Sequence, residues 1–398
     1  MTTPAARGRW TIIGLILVAQ TVANVGPLGI PAIASLIRAD LDLTLAQAGS
    51  FLSAYYVGPV LMSLPAGAMA DRWGVKRTLV LGQVVIAVGL VLVATSTTYA
   101  AFIVLMAAAG FGYGMLNPTS TKAVMVWSPP SQRATVVGLK QVGLPFGGML
   151  GAALLPLLAV ALGWRAAVVA SALLIGLGAL ASLAAYRDPP DAPSAPASRP
   201  GVSFRAVLGM RDLWLVSGAT FVFAAMQTVW MAFLVLYLEA VVGLSLLAAS
   251  RYLALAQAGG MAGRVVFGVL SDRVLGGSRR LPLAIAGAGS ALCSVAIALT
   301  GPGASAFWLA PLVLVFGFVG IGWNGVQHTL MAELAGARAA GTAVGLGLAI
   351  SSLGVTIGPP LFGHLVTVAG GYRGPWLGLA AVMLAALGVL ALVRERRR

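Results

Sequence analysis

The chain has 398 residues, of which 59% are hydrophobic and 9% are charged, and its mean hydropathy is +0.97. A soluble domain carries about 25% charged residues, so this composition excludes an ordinary soluble protein and indicates that lipid surrounds most of the chain. The formal net charge is +15, but the basic residues lie in short clusters between apolar stretches and form no single basic face. We therefore expect no nucleic-acid partner. The single cysteine, Cys293, excludes an internal disulfide.

Apolar stretches long enough to cross a bilayer recur along the whole chain. A membrane-spanning helix needs about 20 apolar residues, and on that criterion the sequence predicts twelve of them. The predicted spans are approximately residues 10–30, 46–70, 78–96, 99–126, 134–162, 165–186, 213–238, 247–270, 281–300, 305–331, 341–368 and 375–393. The first span lacks a clean small-residue cleavage site, so we predict a permanent helix there and no cleavable signal peptide.

A segment rich in Pro and Ser, RDPPDAPSAPASRPG at residues 187–201, separates the first six spans from the last six. The predicted organisation is a six-helix bundle at 1–186, a linker loop at 187–212 and a second six-helix bundle at 213–398. We therefore predict an all-α membrane protein made of two pseudo-symmetric bundles.

The distribution of basic residues predicts the orientation in the membrane. Of the 25 Lys and Arg residues, four lie within predicted spans and three, Arg38, Arg165 and Arg373, lie in segments on one side. The others lie on the opposite side. Because cytoplasmic segments carry the excess of Lys and Arg, both termini and the central linker are predicted to be cytoplasmic.

Two charged segments interrupt the apolar sequence at matching positions. Gly67–Arg77 reads GAMADRWGVKR and Gly268–Arg280 reads GVLSDRVLGGSRR, and 201 residues separate their Asp-Arg pairs. Two further segments, GFGYGMLNPTSTK and GFVGIGWNGVQHT, align Asn117 with Asn324 at a separation of 207 residues. Because different helices repeat at nearly the same offset, the sequence indicates two similar halves in tandem.

The charged segments resemble the signature of the major facilitator superfamily, which is a Gly, an Asp-Arg pair, a second Gly and two basic residues between helices 2 and 3. The matching residues are Gly67, Asp71, Arg72, Gly74, Lys76 and Arg77, with Asp272 and Arg273 in the second copy. The resemblance implies a secondary transporter whose two halves rock around a site near the membrane midplane. It also implies a gating role for these residues, in which Asp71 contacts the other half near helix 11.

Features typical of drug–proton antiporters in this superfamily are missing. No Arg lies between Tyr99 and Lys122, and the run Gly143–Gly148 in helix 5 reads GLPFGG where antiporters carry Gly-Pro-x-x-Gly-Gly. The sequence from Asn117 to Gly148, and WNGVQHTLMAEL in helix 10, resemble instead the anion, organic-acid and cyanate transporter groups. This resemblance implies a small anionic substrate.

Lys140 and Lys122 lie inside the fifth and fourth predicted helices. An ionised side chain within a span costs a few kcal/mol, so it faces an aqueous cavity or a partner. No acidic residue is predicted inside a span of the first half, where the acidic residues are Asp40, Asp42, Asp71, Asp188 and Asp191. We predict that Lys140 is the counter-charge for an anionic substrate and that Lys122 is a second candidate. The alternative for Lys122 is that it extends to the cytoplasmic surface, and for Lys140 that its ammonium snorkels towards the membrane surface.

Other polar side chains inside the spans are further candidates for substrate binding. These are Gln20, Asn24, Tyr55, Asn117, Gln141, Gln227, Arg251, Asn324 and His328. Gln20 and Asn24 are four residues apart and share a helix face. The alternative for each uncharged residue is a hydrogen bond that joins helices, because every polar group inside a span needs a partner.

His328 and Glu333 are the residues best suited to proton coupling, because histidine titrates near neutral pH. The alternative for His328 is a satisfied donor between helices. No Asp or Glu lies deep in any predicted span, so a relay of carboxylates is not predicted, and proton symport is the expected mode of coupling.

The sequence-based hypothesis is a monomeric transporter of a small anion in the cytoplasmic membrane, with a proton as the coupled ion. The alternative within transport is efflux of drug-like or cationic compounds by proton antiport, which the lack of acidic residues in the spans disfavours. A membrane sensor would need a signalling domain, for which the spans leave little chain. The sequence has no phosphate loop and no Cys/His metal spacing, so we expect no enzymatic activity, cofactor or metal.

Overall fold

A computed structural model describes residues 4–128, 133–187, 207–336 and 339–395, and in these ranges the regular elements are helices. The helices of the first half are α1 (Pro4–Gly29), α2 (Ala34–Asp40), α3 (Leu45–Trp73), α4 (Val75–Ala94), α5 (Tyr99–Trp127), α6 (Arg133–Leu162) and α7 (Trp164–Ala185). Those of the second half are α8 (Arg211–Tyr237), α9 (Leu246–Val269), α10 (Arg280–Ala298), α11 (Ala306–Phe316), α12 (Asn324–Ala335), α13 (Ala340–Val368) and α14 (Arg373–Ala391). Shorter turns extend some of them, namely Ile30–Ile33, Leu238–Val242, Leu270–Val274 and Gly317–Ile321.

These helices supply eleven spans that are long and apolar enough to cross a bilayer. The bent helix α3 supplies a twelfth when its two parts, Leu45–Met62 and Pro65–Trp73, are counted together; they meet at 57°. Proline in a helix interior removes a hydrogen bond and clashes with the preceding turn, so Pro65 accounts for the bend. The prediction of an all-α protein with twelve spanning helices is confirmed.

Helix ends differ from the sequence prediction where charged residues occur. The first span continues beyond residue 30 through the turn Ile30–Ile33 and α2, which ends at Asp40. Asp71 lies in the last turn of α3. Both carboxylates were predicted to lie in loops, because apolar content falls at these points while the backbone hydrogen bonding of the helix continues. The predicted linker falls mostly on residues 188–206, outside the described residues.

Large apolar side chains are exposed on the outer faces of the helices. On α7, Leu173, Leu177 and Leu180 are each more than 60% exposed, and they repeat at the spacing of one helix face. On α10, Leu292 is 70% exposed. Apolar surface of this extent is unfavourable in water and suits contact with lipid, so the chain is a multi-pass membrane protein.

The chain divides into two compact units, one of Met1–Leu43 with Ala54–Ala197 and the other of Thr44–Ser53 with Ser198–Arg398. In the first unit α1 packs along α6, and α4 packs on α5 and α7. In the second unit α8 packs along α13, and α10 packs on α14. In each unit the first span therefore packs on the fifth and the third packs on the sixth, as a tandem repeat requires.

Glycines let α6 approach α1 so closely that backbone touches backbone. A Cβ atom added at Gly147 would lie 2.2 Å from the carbonyl oxygen of Thr21, and one added at Gly151 would lie 2.1 Å from that of Val25. Small residues permit such contact between membrane helices. Lys140 is seven residues before Gly147, on the same face of α6, so this contact also directs Lys140 towards the interior of the first unit.

We expect Gly147→Ala to lower the melting temperature of the protein in detergent, because the added methyl group overlaps the Thr21 carbonyl and forces α1 and α6 apart. Overpacking of this kind costs about 1–3 kcal/mol. The matched control is Gly138→Ala on the same helix, where an added Cβ meets no atom within 4 Å. Equal melting temperatures for the two variants would contradict a close contact at Gly147.

Candidate functional site

Lys140 lies on α6 with 1% of its surface exposed. Its Nζ donates to Oδ1 of Asn117 at 2.8 Å, to Oγ1 of Thr121 at 2.8 Å and to Oγ of Ser120 at 3.1 Å. The Asn117 carbonyl oxygen is 3.2 Å away. These acceptors come from one turn of α5, where residues three and four apart share a face. The ammonium is therefore enclosed by neutral oxygen atoms.

No carboxylate compensates this charge within the part of the chain that the structure describes. The ion pairs found there join Lys122 to Asp71, Arg165 to Asp40, and Arg279 to Asp272 and Glu333. Removing a charge from water costs several kcal/mol unless an opposite charge offsets it. Lys140 therefore has hydrogen-bond partners but no counter-ion.

Gln20 and Asn24 of α1 lie beside this cluster. The Ser120 hydroxyl donates to Oε1 of Gln20 at 3.4 Å, and Nδ2 of Asn24 donates to the Gln20 carbonyl oxygen at 2.6 Å. Both side chains are fully buried, yet Nε2 of Gln20 and Oδ1 of Asn24 have no partner among the described residues. A buried polar atom without a partner costs about 1–3 kcal/mol. An unused donor and an unused acceptor next to a buried ammonium are features of a ligand site.

Aromatic side chains adjoin the cluster along α5. Tyr113 is one turn before Asn117, and its ring centroid lies 5.5 Å from that of Tyr55 on α3. The Tyr55 hydroxyl is buried and has no partner among the described residues. The structure thus brings Lys140, Asn117, Gln20 and Asn24 together, and Tyr55 contacts Tyr113, which is one turn of α5 before Asn117.

Lys122 occupies a different environment from Lys140. Its Nζ lies 2.6 Å from Oδ1 of Asp71 and 2.8 Å from the carbonyl oxygen of Ala70. The carboxylate of Asp71 at the end of α3 therefore neutralises Lys122, a pairing that the sequence analysis did not predict. A substrate role for Lys122 and a gating role for Asp71 remain predictions.

The second unit brings Gln227 and Asn324 together. Oε1 of Gln227 accepts hydrogen bonds from Nε1 of Trp323 at 3.0 Å and from Nδ2 of Asn324 at 3.2 Å. His328 is one turn beyond Asn324, and its buried Nε2 has no hydrogen-bond partner among the described residues. Glu333 forms an ion pair with Arg279. The structure shows no hydrogen bond between His328 and Glu333.

The second unit has an uncharged counterpart of the Lys140 cluster. Gly347 lies 207 residues after Lys140, the separation that also relates Asn117 to Asn324 and Ser120 to Gln327. A Cβ atom added at Gly347 would lie 2.7 Å from Nε2 of Gln327. The buried amide of Gln327 therefore fills this space and lies 3.5 Å from the Thr220 hydroxyl. Where the first unit has an ammonium, the second has a carboxamide.

The two remaining candidates are Gln141 and Arg251. Gln141 follows Lys140 on α6 and is half-buried, whereas Arg251 is exposed near the start of α9. Sequence reasoning missed Ser120 and Thr121, although their spacing of three and four residues from Asn117 on a polar stretch of α5 was a usable signal.

The first charged motif lies at the junction of α3 and α4. Gly74 has φ of +85°, a backbone conformation that side chains disfavour, and it begins α4. Arg72 and Arg77 are exposed and Lys76 is half-buried, while a Cβ added at Gly67 would meet open space. The glycine at position 74 is thus explained by the turn, whereas no contact explains Gly67.

In the second motif, Arg279 joins several helix ends. Its guanidinium donates to Asp272, to Oγ of Ser271 at 2.7 Å and to Oε1 of Glu333 at 3.2 Å. Its backbone N–H donates to Glu395, which also accepts from Oγ of Ser278 at 2.7 Å. Burial alone would lower the pKa of Arg279, but its hydrogen bonds to Asp272 and Glu333 outweigh that effect and raise the pKa above its ordinary value. Asp272 and Arg273 themselves are exposed.

Comparison with known proteins establishes the family. Residues 12–359 match the Major Facilitator Superfamily. The chain belongs to this superfamily. It is therefore a membrane transporter, and the resemblance seen in the charged motifs is confirmed.

Relatives within the superfamily include several named for anions. The chain is 28% identical to the probable sulfoacetate transporter SauU of Cupriavidus necator, over 96% of this chain and 93% of that protein. It is 32% identical to the hexuronate transporter of Bacillus subtilis, over 34% of this chain and 32% of that protein. The solved structure of a bacterial homologue of the human lysosomal transporter Spinster has a TM-score of 0.79 at 18% identity and covers 99% of this chain and 97% of its own. That likeness shows the superfamily fold.

We expect Arg279→Lys to lower the free energy of unfolding by about 0.5–1 kcal/mol, because a lysine cannot reproduce the planar fork that binds two carboxylates at once. Melting in detergent at low and high salt would measure this, with a smaller difference at high salt. The control is Arg373→Lys, at an exposed arginine at the start of α14. A loss no greater than that of the control would show that the Arg279 contacts contribute little.

Proposed function

We propose that this transporter moves a small anion, most simply an organic acid, across the cytoplasmic membrane by alternating access, and that Lys140 binds the anion. The observation that carries this proposal is the buried ammonium with neutral partners and no carboxylate. An anion at this point would offset the cost of the buried charge, and the low polarity of the surroundings strengthens the attraction.

The groups next to Lys140 support an oxygen-rich ligand. Gln20 offers an unused amide donor, and Asn24 offers an unused carbonyl acceptor. A carboxylate or sulfonate would accept from both the ammonium and the amide. The names of the relatives support the same class, since sulfoacetate and hexuronates are organic acids.

A cationic substrate has less support. A cation site needs carboxylates or aromatic faces. The carboxylates of the described residues lie at helix ends, and the rings of Tyr55 and Tyr113 lie near the buried ammonium of Lys140, which repels a cation. We further propose proton symport, operation as a monomer and cytoplasmic location of both termini, which follow from the sequence-based predictions.

Binding of anions should depend on the charge of Lys140. We expect sulfoacetate or glucuronate to raise the melting temperature of the purified protein in detergent, because a ligand that binds only the folded state stabilises it. We expect Lys140→Gln to weaken binding by about 30-fold or more, since losing a buried charge partner costs about 2 kcal/mol or more. Glutamine retains amide donors for Asn117 and Thr121, so this variant should fold.

Two further variants make this test specific. Arg373→Gln removes an exposed positive charge and should leave binding unchanged. Lys122→Gln should retain most of the binding, because its ammonium is already neutralised by Asp71. Stabilisation by tetraphenylphosphonium with none by nitrate, cyanate or organic acids would contradict the proposal and favour efflux of cations.

A further inference from the structure

Carboxylates are absent from the middle of the spans, which limits how a proton can cross with the substrate. Of the ten acidic residues, eight fall in the described ranges, and each lies at or beyond the end of a helix. The other two, Asp188 and Asp191, fall in the predicted linker. A carboxylate relay through the membrane interior therefore has no member at mid-span.

The elements packed against α6 bring no negative charge to Lys140. These elements are α1, α5, α7 and the turn Ile30–Ile33. Among the side chains that the structure describes on these elements, the charged and titratable ones are Arg9, Tyr99, Tyr113, Lys122 and Arg165. Lys122 and Arg165 are paired with Asp71 and Asp40, and Arg9 lies over the ring of Trp10. The charge on Lys140 is thus compensated only when an anion is bound.

The free-energy cost of an unpaired buried ammonium couples the binding of the anion to the binding of a proton. With the anion bound, the ammonium has a counter-ion. Once the anion leaves, an isolated buried ammonium is unfavourable, whereas a neutral amine can still donate two hydrogen bonds to Asn117 and Thr121. The two states of Lys140 therefore match the occupied and empty states of its site.

We propose that Lys140 carries the co-transported proton as well as binding the anion, an inference that rests on the function proposed above. On one side of the membrane, hydronium gives a proton to the Lys140 amine, and the ammonium forms an ion pair with the anion. On the other side the anion returns to water, and the ammonium releases its proton to water and becomes an amine again. Each cycle moves one proton and one anion in the same direction.

The second unit offers a competing proton carrier. His328 has a buried Nε2 without a partner among the described residues. His328 belongs to a different unit from Lys140. An experiment must therefore separate these two residues.

The test is isothermal titration of the purified protein with glucuronate, and separately with sulfoacetate, in buffers of different ionisation enthalpy. The dependence of the heat on the buffer gives the number of protons taken up per anion bound. We expect wild-type protein to take up protons as the anion binds, with the number rising towards one as pH rises. Lys140→Arg should bind with no uptake, because a guanidinium stays protonated. His328→Gln should take up as many protons as wild type.

Each outcome has a distinct meaning. Binding to wild type with no proton uptake between pH 6 and 9 overturns this inference and leaves the proposed function standing. Uptake that is lost in His328→Gln also overturns it. Failure of wild type to bind any anion of the panel overturns the proposed function and this inference with it. If Lys140→Arg does not fold, the wild-type and His328→Gln titrations still decide the matter.

Discussion

A buried ammonium held by neutral oxygen atoms is the constraint on which the first unit depends. Lys140 can occupy this place because glycines on the same face of α6 let that helix lie against the backbone of α1. One turn of α5 then supplies all its hydrogen bonds. The hydrogen bonds fix the position of the charge without neutralising it, and the polar atoms left unused on α1 lie next to it. A structural lysine would be expected to have a carboxylate partner, and Lys140 has none among the described residues, which is the basis of the anion site proposed above.

Several charged side chains at the helix ends form ion pairs, whereas the ammonium of Lys140 in the interior forms none among the described residues. Asp71 is paired with Lys122, Asp40 with Arg165, and Arg279 with two carboxylates. These pairs are partly exposed, so each contributes little to stability on its own, but together they connect different helices within a unit. Few charged side chains remain in the interior of the first unit. The electrostatic potential around the Lys140 cluster therefore depends mainly on Lys140 itself.

Much of the fold followed from the sequence, because long apolar stretches in a chain with so few charges have few other structures available to them. The charged motifs indicated the family, and the presence of an ionisable residue within a predicted span made Lys140 a candidate site residue. The pairing of Lys122 with Asp71 could not be foreseen, since it joins residues 51 positions apart whose approach depends on how α3 and α5 are rotated. The same holds for Glu395, which caps the start of α10 from the far end of the chain. Helix rotation is set by packing, which periodicity in a uniformly apolar span does not reveal.

The carboxamide of Gln327 beside Gly347 has a consequence for how the two halves diverged. Tandem duplication starts with identical halves, and a charge kept in both would place two like charges in one protein and repel a substrate of the wrong valence. Here one copy carries the ammonium, and the other fills the corresponding space with a neutral group of similar reach. The second copy thus shows that the same packing of helices accepts a neutral arrangement, and exchanging the polar residues between the two copies would remove the buried charge while the packing is kept.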